Sequence, residues 1–346
     1  VDKSSHVSGM TAMVLDTMDL SNKEVVAYII VAGVLCSIVL LLATDSYLVP
    51  VLLLGNIGVA ILYNMGTNII FGEISYITKA ISAVLQLGVT TDFSIFLYNC
   101  FEKKKELYKS KEEAMSSAIE ETFTSVIGSS LTTIAGFLVL CTMSLTLGKD
   151  LGIVMAKGVL IGLISTLLLF PALILTFDKY IEKTKHKKVN LVFDKLNHFI
   201  VKSYKVIFII FALLIIPAYL AYSKIDVYYK MDRTLPETLE SISANKELKD
   251  KFNIVSPEMI ILDSNVKTSD VTNMIKEIKN IPGIDFALSL SEFEKLGLSE
   301  NVIPDELLKI FKSGKYQMVL VNSIYEVASD EINNQITLVN DIVKKY

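Results

Sequence analysis

Three cysteines and three histidines are all that the 346 residues contain, and neither set is spaced for chemistry. Cys36, Cys100 and Cys141 stand in or at the ends of apolar runs, where a thiol behaves as a small hydrophobe. No metal-ligand or disulfide spacing exists. His6, His186 and His198 lie outside those runs, so none is placed to carry a proton within a membrane. Net charge is only −4, short of the basic footprint that nucleic acid demands. No nucleophile–base set, metal cluster or phosphate loop occurs, so neither catalysis nor a cofactor is expected. The chain opens with Val rather than Met and shows no signal peptide, which reads as a processed or truncated product.

Hydrophobicity is what the chain has in excess. Apolar residues make up 52%, charged residues 20%, and mean hydropathy is +0.50. The excess is concentrated in uncharged runs at Val25–Thr44, Ser46–Gly72, Thr122–Gly148, Gly158–Phe177 and Val206–Ser223, and in Ala80–Phe101, which only Asp92 interrupts. A spanning helix needs roughly 20 apolar residues, and all six runs qualify. The expected fold class is a polytopic α-helical membrane protein.

Loop charge orients it. Phe101–Glu121 carries five lysines with six acids, and Asp178–Lys205 carries eight lysines with three acids. The connections around Gly72–Ser75 and Lys149–Asp150 are nearly charge-free. Lysine excess marks cytoplasmic loops, so both lysine-rich loops go inside and the two ends of the chain go outside. Asp178–Lys205 reads as a solvated positive anchor that could also meet anionic headgroups. Tyr228 and Tyr229 read as interface anchors.

After Ser223 the pattern changes. Glu258–Asp263, Ile284–Leu290 and Tyr316–Asn322 are short apolar strands. Helical patterns occupy Leu239–Phe252, Ser269–Ile281, Pro304–Phe311 and Val327–Lys345, with Pro282-Gly283 as a breaker. Strands alternating with helices predict a small α/β sandwich of ferredoxin type. The series stops on a helix, so a partner strand is expected elsewhere. Residues 1–23 read as the end of another domain.

Asp92 is the residue that needs a reason. A carboxylate near mid-membrane costs about 2.5–3.5 kcal/mol on insertion scales, and its uses are a structural bond, a bound cation or a carried proton. It lies about 13 Å from the inner end of its run, at the level reached by Ser129, Ser130, Thr132 and Thr133 on the next run. Ser125, Ser129 and Thr132 or Thr133 share one helix face, bordered by Gly128 and Gly136. That stripe suits helix packing or a proton path. Lys157 sits roughly 15 Å above Asp92, too far to pair with it, and should snorkel outward. Lys79 lies at the outer start of its helix. Asp92 thus has hydroxyl neighbours and no cationic partner in the chain, an arrangement suited to loading and releasing a proton.

"GVTTDFSIFL" with "CFEKKKE" resembles the fourth-helix signature of the resistance-nodulation-division superfamily, in its MMPL-type and hydrophobe-exporter branches. "EEAMSSAIEETFTSVIGSSLTTIAGFLVL", "DLGIVMAKGVLIGLISTLLLFPALIL", "LPETLESISANKELKDKF" and "SGMTAMVLDTMDL" extend the resemblance over nearly the whole chain. It implies twelve helices in two pseudo-repeats, each with an extracytoplasmic porter domain. Residues 1–23 would end the first porter domain, 24–177 would form a five-helix block, 178–205 the cytoplasmic loop, 206–223 a sixth helix and 224–346 an incomplete second porter domain. The rest of the transporter would be the partner, with membrane lipids, a hydrophobic substrate and self-association as further partners. The resemblance implies export of lipids or other hydrophobic molecules across the cytoplasmic membrane, driven by protons through Asp92. Gly88, Thr91, Phe93, Ser129, Ser130 and Thr133 would support the relay or pack around it. The branch usually has Asp-Tyr where this chain has Asp92-Phe93, so a relay step through a ring hydroxyl is unavailable. Sodium coupling, a Sec-accessory role in secretion and a non-transporting sterol- or lipid-sensing module are the alternatives.

Overall fold

The computed structural model describes residues 6–186, 194–225, 235–295 and 303–346. Tyr228 and Tyr229 lie outside the described residues. Among those described, six helices are long and apolar enough to cross a membrane. They are α1 (Met10–Ala43), α2 (Leu48–Gly66, continued by a 3-10 turn at Thr67–Phe71), α3 (Tyr76–Lys105), α4 (Lys111–Leu140), α5 (Thr146–Lys183) and α6 (Asp194–Tyr222).

The helices overrun the apolar runs because polar and charged residues continue them past the hydrocarbon. α1 begins at Met10, well inside the stretch read as the end of another domain. α5 continues six residues beyond Phe177 to Lys183, so nearly two thirds of the expected lysine-rich loop is helical once α6 starts at Asp194. One boundary falls inside a run. The chain turns at Cys141–Leu145 rather than after Gly148, and Lys149 and Asp150 belong to the start of α5. Ser75 caps α3 by accepting from Ile77 N, while its own N–H donates to Asp150 Oδ2 at 2.8 Å. Ser110 caps α4 through Glu113 N, the first half of a capping box.

Two compact units divide the chain, Met18–Leu213 and Val1–Thr17 with Leu214–Tyr346. In the first, α5 is the central element. Half of its most apolar stretch is buried, against 6% for α1, 11% for α4 and none for α6. The core gathers Leu53 and Val49 of α2, Leu97 and Phe101 of α3, Met115 and Ala118 of α4, and Phe170 and Ile174 of α5. Polar side chains are buried with them. Asn64 Nδ2 donates to Gln86 Oε1 at 2.9 Å, Gln86 Nε2 to the Gly158 carbonyl at 3.1 Å, and Ser165 Oγ to Asn56 Oδ1 at 2.7 Å. Such bonds hold helices together where lipid offers no hydrophobic drive.

The second unit contains α7 (Glu240–Phe252), β1 (Ser256–Asp263), α8 (Thr268–Lys279), β2 (Ile284–Leu288), α9 (Leu290–Lys295), α10 (Asp305–Phe311), β3 (Lys312–Ser313), β4 (Tyr316–Ser323) and α11 (Asp330–Val343). All three expected strands and four helices are there, within three residues of their expected bounds. β4 lies between β1 and β2 and is antiparallel to both. β1 and β2 are therefore parallel, with α8 connecting them. Ile260, Leu262, Val319 and Val321 of the sheet pack on Met274, Ile275 and Ile278 of α8 and on Val339 of α11. Gly283 turns the chain into β2 at φ +85°, and a Cβ there would strike the Tyr325 ring. The N-terminal residues belong to this unit. Ser8 Oγ donates to Asn245 Oδ1 at 2.7 Å, and Ser241 N donates to Asp16 Oδ2 at 3.0 Å.

Candidate functional site

Asp92 lies midway along α3 and opens onto a groove of about 380 Å³ between α3 and α4. Ser125, Ser129 and Thr133 line the α4 wall, and Val89, Phe93 and Phe96 line the α3 wall. The four-residue spacing of the hydroxyls does what a helix face dictates. Of the hydroxyls expected at the level of Asp92, Ser129 and Thr133 line the groove and Ser130 and Thr132 do not. Thr133 Oγ1 donates back to the Ser129 carbonyl at 2.9 Å, the ordinary internal bond of a helical threonine.

Other residues of the expected set face elsewhere. Ser130 is fully buried and donates to the Val126 carbonyl at 2.7 Å, so it turns away from the groove. Thr91 is buried towards α1, bonded to the Leu87 carbonyl at 2.5 Å and 3.7 Å from Cys36 Sγ. Phe93 spans both settings, lining the groove while packing with Val126, Val159 and Leu163. Gly88 borders open space, and so do Gly128 and Gly136. The small-residue approach expected beside the α4 stripe is not made among the described residues.

Asp92 itself is exposed on the surface of this bundle. The expectation of a carboxylate enclosed by hydroxyls therefore needs another body over the groove. Among the described residues Asp92 takes part in no ion pair.

Lys157 has a different occupation from snorkelling. Its Nζ donates to the Asn64 carbonyl at 2.8 Å, to Thr67 Oγ1 at 2.9 Å and to Asn68 Oδ1, and it stands 5.3 Å from the centre of the Phe71 ring. It caps the C-terminal end of α2, where orphan carbonyls and the negative end of the helix dipole collect. The reckoning along the helix had its depth right and its partner missing. The signal was available in the amides and hydroxyl of "YNMGTN" at the end of α2. Lys157→Met should lower the melting midpoint of the purified protein, reflecting about 1–3 kcal/mol for the orphaned acceptors. An unchanged midpoint would show the cap to be idle.

The profile of the MMPL family matches residues 3–203. Among curated proteins, the "Siderophore exporter MmpL5" of Mycobacterium tuberculosis is 26% identical over 196 residues, covering 53% of this chain and 20% of that protein. The "Probable transport protein MmpL12" of the same species is 23% identical over 295 residues, 81% of this chain and 26% of the relative. The chain thus spans about a quarter or less of the length of these relatives. Among solved structures, SecDF, a translocon-associated membrane protein from Thermus, is similar with a TM-score of 0.51 at 10% identity, covering 94% of this chain and 43% of that one. At that identity the likeness is one of fold alone.

Proposed function

The chain belongs to the MMPL family, and from that premise we propose that it is part of a multi-pass exporter moving lipids or other hydrophobic molecules across the cytoplasmic membrane, with Asp92 carrying the coupling proton. The observation that carries this reading is the groove in which one intramembrane carboxylate faces three hydroxyls. Ionisable side chains inside a membrane are costly and mark ion paths. The nearly bare faces of α1, α4 and α6 suit contact with a second helical bundle, which would close the groove and could supply Asp92 with a partner. The name of MmpL5, a siderophore exporter, agrees with outward transport.

Residues 224–346 are read as the extracytoplasmic porter part. β1 and β2 flanking an antiparallel β4, joined through α8, is the arrangement of a ferredoxin-like half, and residues before Thr17 join the same unit. Protonation of Asp92 removes a charge from the membrane interior and lets α3 and α4 repack against the second bundle. The porter parts follow, in the alternating manner of transporters. With Phe93 in place of a hydroxyl-bearing ring, Ser125, Ser129 and Thr133 are the groups left to pass the proton along the groove.

The fold shared with SecDF favours a second reading, an accessory role in secretion. The test reconstitutes the full-length protein in proteoliposomes and follows a lipophilic fluorescent dye under a proton gradient or a sodium gradient of equal size. The exporter reading expects dye movement under the proton gradient alone. Movement under sodium alone would make Asp92 a sodium ligand. Under neither gradient, the exporter reading falls and the secretion reading takes its place.

A further inference from the structure

At the lysine-rich ends of the helices, away from the Asp92 groove, charges from four elements interlock. Lys185, just past α5, reaches Glu182 at 3.0 Å, Glu102 of α3 at 3.4 Å and Asp45 of the α1–α2 turn at 3.9 Å. Lys105 of α3 pairs with Asp178 and Glu182 of α5, and Lys111 of α4 reaches Asp178 at 3.8 Å. Tyr98 donates to Asp45 Oδ1 at 2.7 Å. The backbone stitches the same place. His186 N donates to the Asp45 carbonyl at 2.7 Å, Tyr47 N to the Thr184 carbonyl at 3.1 Å, and the His186 ring lies on Tyr47.

Among the described residues the charges do not balance. Four carboxylates (Asp45, Glu102, Asp178 and Glu182) face three ammonium groups (Lys105, Lys111 and Lys185). Lys185 is shared by three of the acids. One oxygen of Glu102 meets that lysine, while the other, Oε1, is closed off from solvent without a hydrogen-bond partner. A closed-off carboxylate oxygen without a donor is an expensive place for negative charge. Glu102 stands one residue past the end of the apolar run and ten residues along α3 from Asp92.

We propose that this cluster is a second proton-holding site, in which Glu102 takes up the one proton that balances its charge. A protonated Glu102 leaves three carboxylates on three lysines. Losing the proton returns the excess charge to the junction of the α1–α2 turn, α3 and α5, so the state of the site is felt where those ends are stitched. The proposal deepens the proton-coupled reading and rests on it for its purpose, but protonation can be measured without transport.

The measurement is infrared difference spectroscopy of the full-length reconstituted protein during a pH titration, following the carbonyl band of a protonated carboxyl group. In Asp92→Asn, which lacks the other proton-carrying carboxyl, a band should appear on acidification, and adding Glu102→Gln should remove it. Lys185→Met should move its midpoint to higher pH and Asp45→Asn to lower pH, each by about one unit, the size of one close charge. Those two variants test the site even if Glu102→Gln does not fold. A band that survives Glu102→Gln in the Asp92→Asn background, or one that neither Lys185→Met nor Asp45→Asn moves, would overturn the proposal. Loss of dye transport with the band intact would count against the exporter reading alone.

Discussion

Asp92→Asn is expected to cut proton-driven dye export by roughly a hundredfold or more, the scale on which a positioned proton-transfer group contributes. Asparagine keeps the size and polarity of the side chain, so the α3–α4 packing survives. What it loses is the exchangeable proton. Asp92→Glu keeps the carboxyl group but carries it one methylene further into a groove lined by Val89 and Phe96, and should retain part of the activity. Phe93→Tyr asks a finer question. Its ring lines the groove, so a hydroxyl added there provides a further relay group, and export should hold or rise. The measurement is initial dye flux at equal protein and equal gradient, with melting curves to show that each variant is folded. Full flux in Asp92→Asn would make the carboxylate structural and remove the core of the functional proposal. Ser129→Ala combined with Thr133→Ala should give a smaller loss, because Ser125 remains on the same wall of the groove.

Much of this site was legible in the sequence because helix geometry is regular. Rise per residue gave the level of Asp92 and of Ser129 to Thr133, and spacings of three or four residues put Ser125, Ser129 and either Thr132 or Thr133 on one face, of which the groove takes Thr133. The same arithmetic could not say which face of α4 meets α3. Ser130 was therefore grouped with hydroxyls from which it points away. In the second unit, period-two strands and breaker residues gave bounds within three residues, while strand order had to come from pairing. The missed turn at Cys141–Leu145 has a plain cause. Its residues, "CTMSL", are as apolar as the span before them, and neither Gly nor Pro marks the break. The buried amides carry no charge and so leave the apolar runs unbroken. Asn56, Asn64 and Gln86 sit in apolar runs, where each must find a partner, and all three face α5 or one another.

Glycine contact points show the limit of spacing most clearly, and they carry the second large prediction. Gly128 and Gly136 of α4 have the look of a helix interface, yet a Cβ at either would meet nothing within 4 Å. The close approaches belong to α5. A Cβ at Gly152 would lie 2.6 Å from the Phe137 carbonyl oxygen, 3.0 Å from Cys141 Sγ and 3.1 Å from Leu140 Cβ. At Gly158 and Gly162 it would meet Asn64 Nδ2 and Thr90 Oγ1, each at 2.5 Å. The Thr90 side chain can turn aside, and that of Asn64 can do so by giving up its bond to Gln86, whereas the Phe137 oxygen is backbone held in α4. Gly152→Ala should therefore be the most damaging of these alanine substitutions, forcing α4 and α5 apart at about 1–3 kcal/mol, the usual cost of overpacking. Gly162→Ala should cost less and be relieved by Thr90→Ala, since the Thr90 hydroxyl has no hydrogen-bond partner to lose. Thermal melts of the purified full-length protein decide the order. A harmless Gly152→Ala would mean that the α4–α5 contact is looser than its geometry. Greater damage from Gly128→Ala would place a close neighbour of α4 outside these residues, on the proposed second bundle.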